Sequence, residues 1–152
     1  MKEKPWILVN RFPYEEPYHT ELQVQASNGR YTGDINFYCA VDDLQEIGQS
    51  LIEFPSKVPD EYRYEYGSDD PTKRWYSHFM LRAYTTDAVG HCALQLVMNL
   101  NRAEPDEGSC SFSIKVEEAA QICRLGRLFQ RLREKPATSF RWTLASEEFV
   151  DL

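Results

Sequence analysis

The chain has 152 residues, 42% hydrophobic and 13% aromatic, and its 24 acidic against 17 basic side chains leave a net charge of −7. That length suits one domain, residues 1–152, able to bury roughly 70% of the surface its unfolded form exposes, and no apolar run approaches the ~18 residues that a membrane span needs. The charge argues against nucleic acid or an anionic membrane as partner: six basic residues stand against fourteen acidic ones over residues 1–70, while the remainder is nearly balanced.

The beginning, "MKEKPWILVNRFPYEEP", carries four successive apolar residues, Trp6 to Val9, too few for a secretory core of roughly 7–15. A cytoplasmic protein is therefore expected. Leu22, Val24 and Ala26 alternate with Gln23 and Gln25, and Tyr31, Gly33, Ile35 and Phe37 alternate with Thr32, Asp34 and Asn36, so both runs read as strands. The stretch between them, "ASNGRYTG", could be a phosphate cradle or a turn. Gly29 and Gly33 lead into a continuing strand and not into a helix, which removes the cradle. Asn28-Gly29 then predicts a hairpin with a type I′ turn.

From Val41 the period changes. Leu44, Ile47, Leu51 and Ile52 fall at helical spacing, Asp42 is placed to cap the first turn with Gln45 answering it, and Pro55 follows the end. Residues 55–73 are irregular, with turn formers bracketing a short strand over Tyr62–Tyr66. Two longer strands follow, Trp75–Thr85 and Val89–Asn99, joined by a turn in which Gly90 supplies the left-handed residue. Cys110, Phe112, Ile114 and Val116 alternate with serines and Lys115, giving a half-buried strand. Glu117 and Glu118 open a second helix from Ala119 to about Arg133, with Ile122, Leu125, Phe129 and Leu132 on its apolar side and Pro136 beyond its end. A run over Phe140–Leu144 is expected as an edge strand before the acidic tail "EEFVDL". Together these predict an α+β fold: a single twisted, mainly antiparallel β-sheet packed by two amphipathic helices.

Motifs for chemistry are scarce. Cys39, Cys92, Cys110 and Cys123 stand far apart with no C-x-x-C and no short Cys/His spacing, so no metal site and no cofactor are expected, and the thiols read as small buried hydrophobes. His19, His78 and His91 have no sequence partner that would form a dyad, since His91 and Cys92 point to opposite faces of a strand. G-x-S-x-G, H-E-x-x-H and EF-hand patterns are absent, and Asp34 shares a polar strand phase with Thr32 and Asn36. No catalytic residues are assigned, and the chain is not expected to be an enzyme. Arg124, Arg127 and Arg131 form a basic stripe on the second helix, opposite its apolar face. Such a stripe could contact phosphates. A solvated helix face whose cations the dipole favours near its C-terminus carries the same pattern, the reading preferred in an acidic chain.

The segment "DEYRYEYGSDDP" is the best candidate for function. Tyr62, Tyr64 and Tyr66 share one strand face, and Asp60, Glu61, Glu65, Asp69 and Asp70 outnumber Arg63 by four. Tyrosine offers large contact area at low entropic cost and carboxylates steer a basic partner, so these eight residues are read as a partner-binding surface. An ordinary strand with its tyrosines turned to the core would carry the same letters. The pieces "RFPY", "ASNGRYTGDINFY", the helix ending in "EFP", "YEYGSDDP", "LRAYTTDAVGHCALQL" and "FSIKVEEAA" together resemble small bacterial proteins of the WapI-type immunity family, which accompany polymorphic toxins. The resemblance runs from about Leu22 to Arg133. It implies a small cytoplasmic α+β protein that neutralises a cognate toxin by binding it, here a basic one, and it supplies no toxin-contact residues to carry over. A different class stands beside it: a small-molecule binder or enzyme with a ligand between sheet and helices, lined by Trp75, Phe79 and Phe112.

Overall fold

The computed structural model describes residues 3–73 and 76–152. Strands β1 (Trp6–Pro13), β2 (His19–Ser27) and β3 (Thr32–Ala40) run into helix α1 (Val41–Glu53). Strands β4 (Glu61–Tyr66), β5 (His78–Thr85), β6 (Cys92–Asn99) and β7 (Ser109–Lys115) lead to helix α2 (Ala119–Glu134), followed by β8 (Thr138–Thr143) and β9 (Glu147–Asp151).

These strands make two antiparallel sheets, in the orders β3-β2-β1-β8-β9 and β4-β5-β6-β7, and not the single sheet that the alternation predicted. Alternation identifies a strand and its hairpin partner. It carries no information on whether a strand that follows a helix rejoins the same meander. One sheet of nine strands would also ask two helices, of 13 and 16 residues, to cover an entire apolar face. Two sheets cover part of each other instead. They meet at β3, where the Phe37 and Phe79 rings stack with centroids 4.8 Å apart, and where Gly33 is so close to the second sheet that a Cβ would lie 2.8 Å from Met98 Cε.

The core is shared by both sheets and both helices. Ile7, Val9, Leu22, Val24, Ile35 and Phe37 come from the first sheet, Phe79, Leu81, Leu94, Leu96, Phe112 and Ile114 from the second, and Leu44, Ile47, Leu51, Ile122, Leu125, Phe129 and Leu132 from the helices. The inward phase of β1 ends on a charge: Arg11 is 1% exposed. It donates to the C-terminal carbonyls of α2, Leu132 O at 2.8 Å and Arg133 O at 3.0 Å, to Thr20 Oγ1 at 3.1 Å, and to Glu16, the nearer oxygen at 2.9 Å. The guanidinium thereby satisfies carbonyls that a helix end leaves without partners.

The helices cross with their backbones in contact at Gly48 and Gly126. A Cβ on Gly126 would lie 2.6 Å from Gly48 O, and one on Gly48 would lie 2.7 Å from Gly126 O. At the head of α2, the Gln121 side chain accepts from the backbone N–H groups of Glu117 and Glu118 and closes a capping box with Glu118. Trp142 anchors β8 to this turn by donating Nε1–H to Gln121 O at 3.0 Å.

Several local expectations are corrected. Asp42 does not cap α1, whose N-cap is Ala40 without a side-chain bond; it is exposed and pairs with Arg133 at 2.8 Å. The β2–β3 hairpin is present, but its ladder ends at Ser27↔Thr32, leaving a loop of residues 28–31 in place of a two-residue turn. Asn28 keeps a negative φ and uses its Oδ1 to accept from Arg30 N and Tyr31 N, both at 2.9 Å, while Gly29 alone takes the left-handed conformation, at φ +93°. The β8 strand is not an edge: β1 flanks it on one side and β9, built from the acidic tail, on the other. Gly90 does adopt φ +91°, as its turn requires.

Candidate functional site

Strand β4 is an outer strand of the four-stranded sheet and, among the described residues, pairs with β5 alone, in the register Glu61↔Tyr84 to Tyr66↔Phe79. Just before it, Thr85 N donates to Asp60 O at 3.1 Å. In an antiparallel ladder the bonded pairs alternate. The bonded pairs are therefore Tyr62 with Ala83, Tyr64 with Leu81 and Tyr66 with Phe79, and the N–H and C=O groups of Glu61, Arg63 and Glu65 point to the open edge.

The same alternation sorts the side chains. Tyr62, Tyr64 and Tyr66 are half-buried and turn toward the core. Tyr66 stacks on Phe37 with centroids 5.0 Å apart. The Tyr64 hydroxyl donates to Asp43 Oδ2 on α1 at 3.1 Å. Tyr62 Oη is shielded from solvent and has no hydrogen-bond partner among the described residues; burial first, then the negative charge of Glu46, push this phenol up to about 12. The tyrosines thus bridge the strand to the α1 carboxylates.

On the opposite side stand Glu61, Arg63 and Glu65, all exposed. Glu61 Oε1 accepts from Arg82 Nε at 2.9 Å and from Arg63 at 3.4 Å. Glu65 meets the buried His78 Nε2 at 2.6 Å. Asp60 and Asp70 serve the backbone. Asp60 accepts from Ser56 N at 2.8 Å and from Glu61 N at 2.9 Å, and the Ser56 N–H holds its carboxyl below the usual range. Asp70 accepts from Thr72 N at 2.9 Å, with the same effect. Asp69 is exposed and takes no hydrogen bond among the described residues.

The eight residues singled out from the sequence therefore lie together on one strand and its flanking loops, and they divide into three kinds: half-buried rings, carboxylates engaged in loop geometry or ion pairs, and the exposed Asp69. Sequence reasoning missed Asp43 and Glu46. Their spacing with Ser50, at i, i+3 and i+7, places them on one stripe of α1, and that stripe is the one beside β4. Between residues 41 and 73 the chain carries nine carboxylates and three cations.

The other candidates have local partners. Arg124 donates to the carbonyls of Thr143 and Ser146 at 2.6 Å and of Leu144 at 2.9 Å, and Arg131 lies 4.2 Å over the Phe149 ring, so these two arginines fasten α2 to the β8–β9 hairpin, while Arg127 is exposed. His91 is bound to Asp87, and His19 stands 3.3 Å from Glu15. Cys39 and Cys92 are buried and Cys110 and Cys123 half-buried, all as thiols; burial pushes Cys39 up to about 12, which removes it as a nucleophile near neutral pH. Phe79 and Phe112 are packed in the core, and Trp75 lies outside the described residues. No group of three or more His, Cys, Asp or Glu with metal-binding geometry occurs among the described residues, and no described helix is long and apolar enough to cross a membrane.

No family model matches the chain, and no curated protein does. Among solved structures, the plant transcriptional regulator PBF-2 is similar at 15% sequence identity and a TM-score of 0.48, over 87% of this chain and 76% of that one.

Proposed function

We propose that this protein is a binding module for a basic protein, which docks on the acidic surface formed by α1 and the β4 edge. The carrying observation is the concentration of carboxylates there: Asp43 and Glu46 on the helix, Glu61 and Glu65 on the strand, and Asp69 on the following loop, with Arg63 the one cation on β4 itself. Such a surface steers association with a positively charged partner and weakens with salt. Neutralisation of a basic toxin in the cytoplasm is the specific form of this activity that the likeness to immunity proteins implies.

The filled interior favours this reading over a ligand site between sheet and helices. Phe79 packs on Phe37, and the depressions among the described residues are open surface features, such as one of about 450 Å³ lined by Lys57, Asp60, Glu61, Arg82 and Tyr84. Affinity capture from the native host's lysate at low and high salt tests the proposal. One basic protein should be recovered by the wild-type chain, lost at high salt, and lost again by the double variant Glu46→Gln/Asp69→Asn. Recovery that is indifferent to salt and to the double variant would remove the acidic surface as the docking site.

A further inference from the structure

We infer that the partner docks by adding an extended basic segment to the open edge of β4 as a fifth strand of the four-stranded sheet. The inference rests on the basic-partner reading above and states how such a partner is held. An edge strand offers a row of unsatisfied backbone donors and acceptors, a template for another strand unless it is blunted by proline, a bulge, charged side chains or a covering element. The charges of β4 act against an unselected strand and leave the edge to one of complementary charge. In β4, the N–H and C=O groups of Arg63 and Glu65 and the C=O of Glu61 face away from β5, by the alternation set by the Thr85 N to Asp60 O bond. None of them meets a protein hydrogen-bond partner among the described residues, whereas Glu61 N is occupied by Asp60 Oδ1 at 2.9 Å. The strand contains no proline and keeps an uninterrupted register over its six residues.

Charge selects the occupant. A second copy pairing antiparallel about Arg63 would set Arg63 against Arg63 and Glu61 against Glu65. Pairing about Tyr64 relieves this by setting Arg63 against Glu65, but any such dimer also doubles the carboxylates around the edge, Asp43 and Glu46 on α1 and Asp69 on the loop, which favours a basic segment as the occupant. A basic segment meets carboxylates on both faces, with a neutral residue required opposite Arg63. Its residues opposite Arg63 and Glu65 share the outer face with Glu61 and Glu65. Its intervening residues lie beside the Tyr62 and Tyr64 rings, where Asp43 bonds Tyr64 and Glu46 stands near Tyr62. Lysine or arginine at those inner positions gains both a carboxylate and an aromatic face. The recognised feature is thus an extended stretch with cations in strand phase.

The probe is a synthetic peptide alternating lysine and valine over about eight residues, enough to pair with an ordinary strand. Binding is read by calorimetry and by amide exchange at Arg63 and Glu65. The peptide should bind and slow exchange at those two amides, and the same peptide N-methylated at alternate residues, with its charge intact, should bind roughly tenfold or more weakly through loss of the backbone bonds. The variant Arg63→Pro removes an outward N–H without touching a β5 bond, and it makes the strand more acidic. Edge pairing predicts loss of peptide binding by this variant, its fold checked by near-ultraviolet circular dichroism. Attraction by charge alone predicts equal or tighter binding. Equal binding of the methylated peptide, or by Arg63→Pro, overturns edge pairing while leaving the acidic-surface reading intact. Failure of the unmodified peptide to bind at millimolar concentration also overturns it, and salt-sensitive capture of a basic protein can still succeed independently.

Discussion

Replacing Gly126 by alanine should destabilise the protein even though alanine is the better helix former. The added methyl would sit 2.6 Å from Gly48 O, 2.9 Å from Ile52 N and 3.0 Å from Ile52 Cγ1. Two of these atoms belong to the α1 backbone and cannot rotate aside, so the helices must part by about half an ångström at their crossing, an overpacking that costs ~1–3 kcal/mol. Alanine returns up to about 1 kcal/mol of helix propensity. A net loss of about 1–2 kcal/mol follows, corresponding to a fall in Tm of roughly 3–8 °C for a chain of this size. Gly48→Ala should behave similarly, its methyl meeting Gly126 O at 2.7 Å and Gln130 Cγ at 2.5 Å. Because one separation of the helices relieves both clashes, the double variant should lose less than the two single losses added together, by about 0.5 kcal/mol or more. Urea denaturation followed by circular dichroism at 222 nm measures all three. Wild-type stability or better in either single variant, or strict additivity in the double, would refute a backbone-to-backbone crossing at this pair.

Arg11→Met should cost about 3–5 kcal/mol, as expected when one member of a buried charged network is removed, because Leu132 O, Arg133 O and Glu16 lose their donor; a loss under about 1 kcal/mol in urea would mean that water replaces the guanidinium without penalty. Gly29→Val should lose at least ~1 kcal/mol, since the position holds φ +93° and a Cβ there would lie 2.2 Å from Glu3 O; an unchanged denaturation midpoint would contradict the loop geometry. Stability should fall in alkali. The folded state holds the Cys39 proton from the ordinary value of 9.0 up to about 12, so the unfolded chain ionises first and stability drops by about 1.4 kcal/mol per pH unit across that window, being fully present below pH 9. Cys39→Ala should flatten that slope in urea titrations between pH 9 and 12, and an unchanged slope would exclude the thiol as its source.

Local structure was largely legible in the sequence, and long-range structure was not. Leu44, Ile47 and Leu51 announce α1 by their spacing, and all three are buried. Tyr62–Tyr66 announces β4 by its alternation. The strand β1 escaped notice because its inward phase runs Ile7, Val9, Arg11, and a charge in that phase reads as solvent-facing until the end of α2 is known to lie over it. The two-sheet arrangement depends on β8 returning to β1, a pairing of Trp6 with Thr143 that no local pattern encodes. The candidate surface was half legible. The acidic, tyrosine-rich segment stands out by composition, yet the direction of its rings and the role of Asp43 and Glu46 depend on which stripe of α1 faces β4. A helical wheel groups those two carboxylates, but only the fold sets them beside Tyr62 and Tyr64.

The most direct test of the account is a hydrogen-exchange footprint of the captured basic protein on this chain. Protection confined to residues 61–66 and the exposed side of α1, vanishing at high salt, is the predicted result. Protection on the outer face of the five-stranded sheet, around Trp6, Leu8 and Arg141, with residues 61–66 exchanging as in the unbound protein, would contradict it.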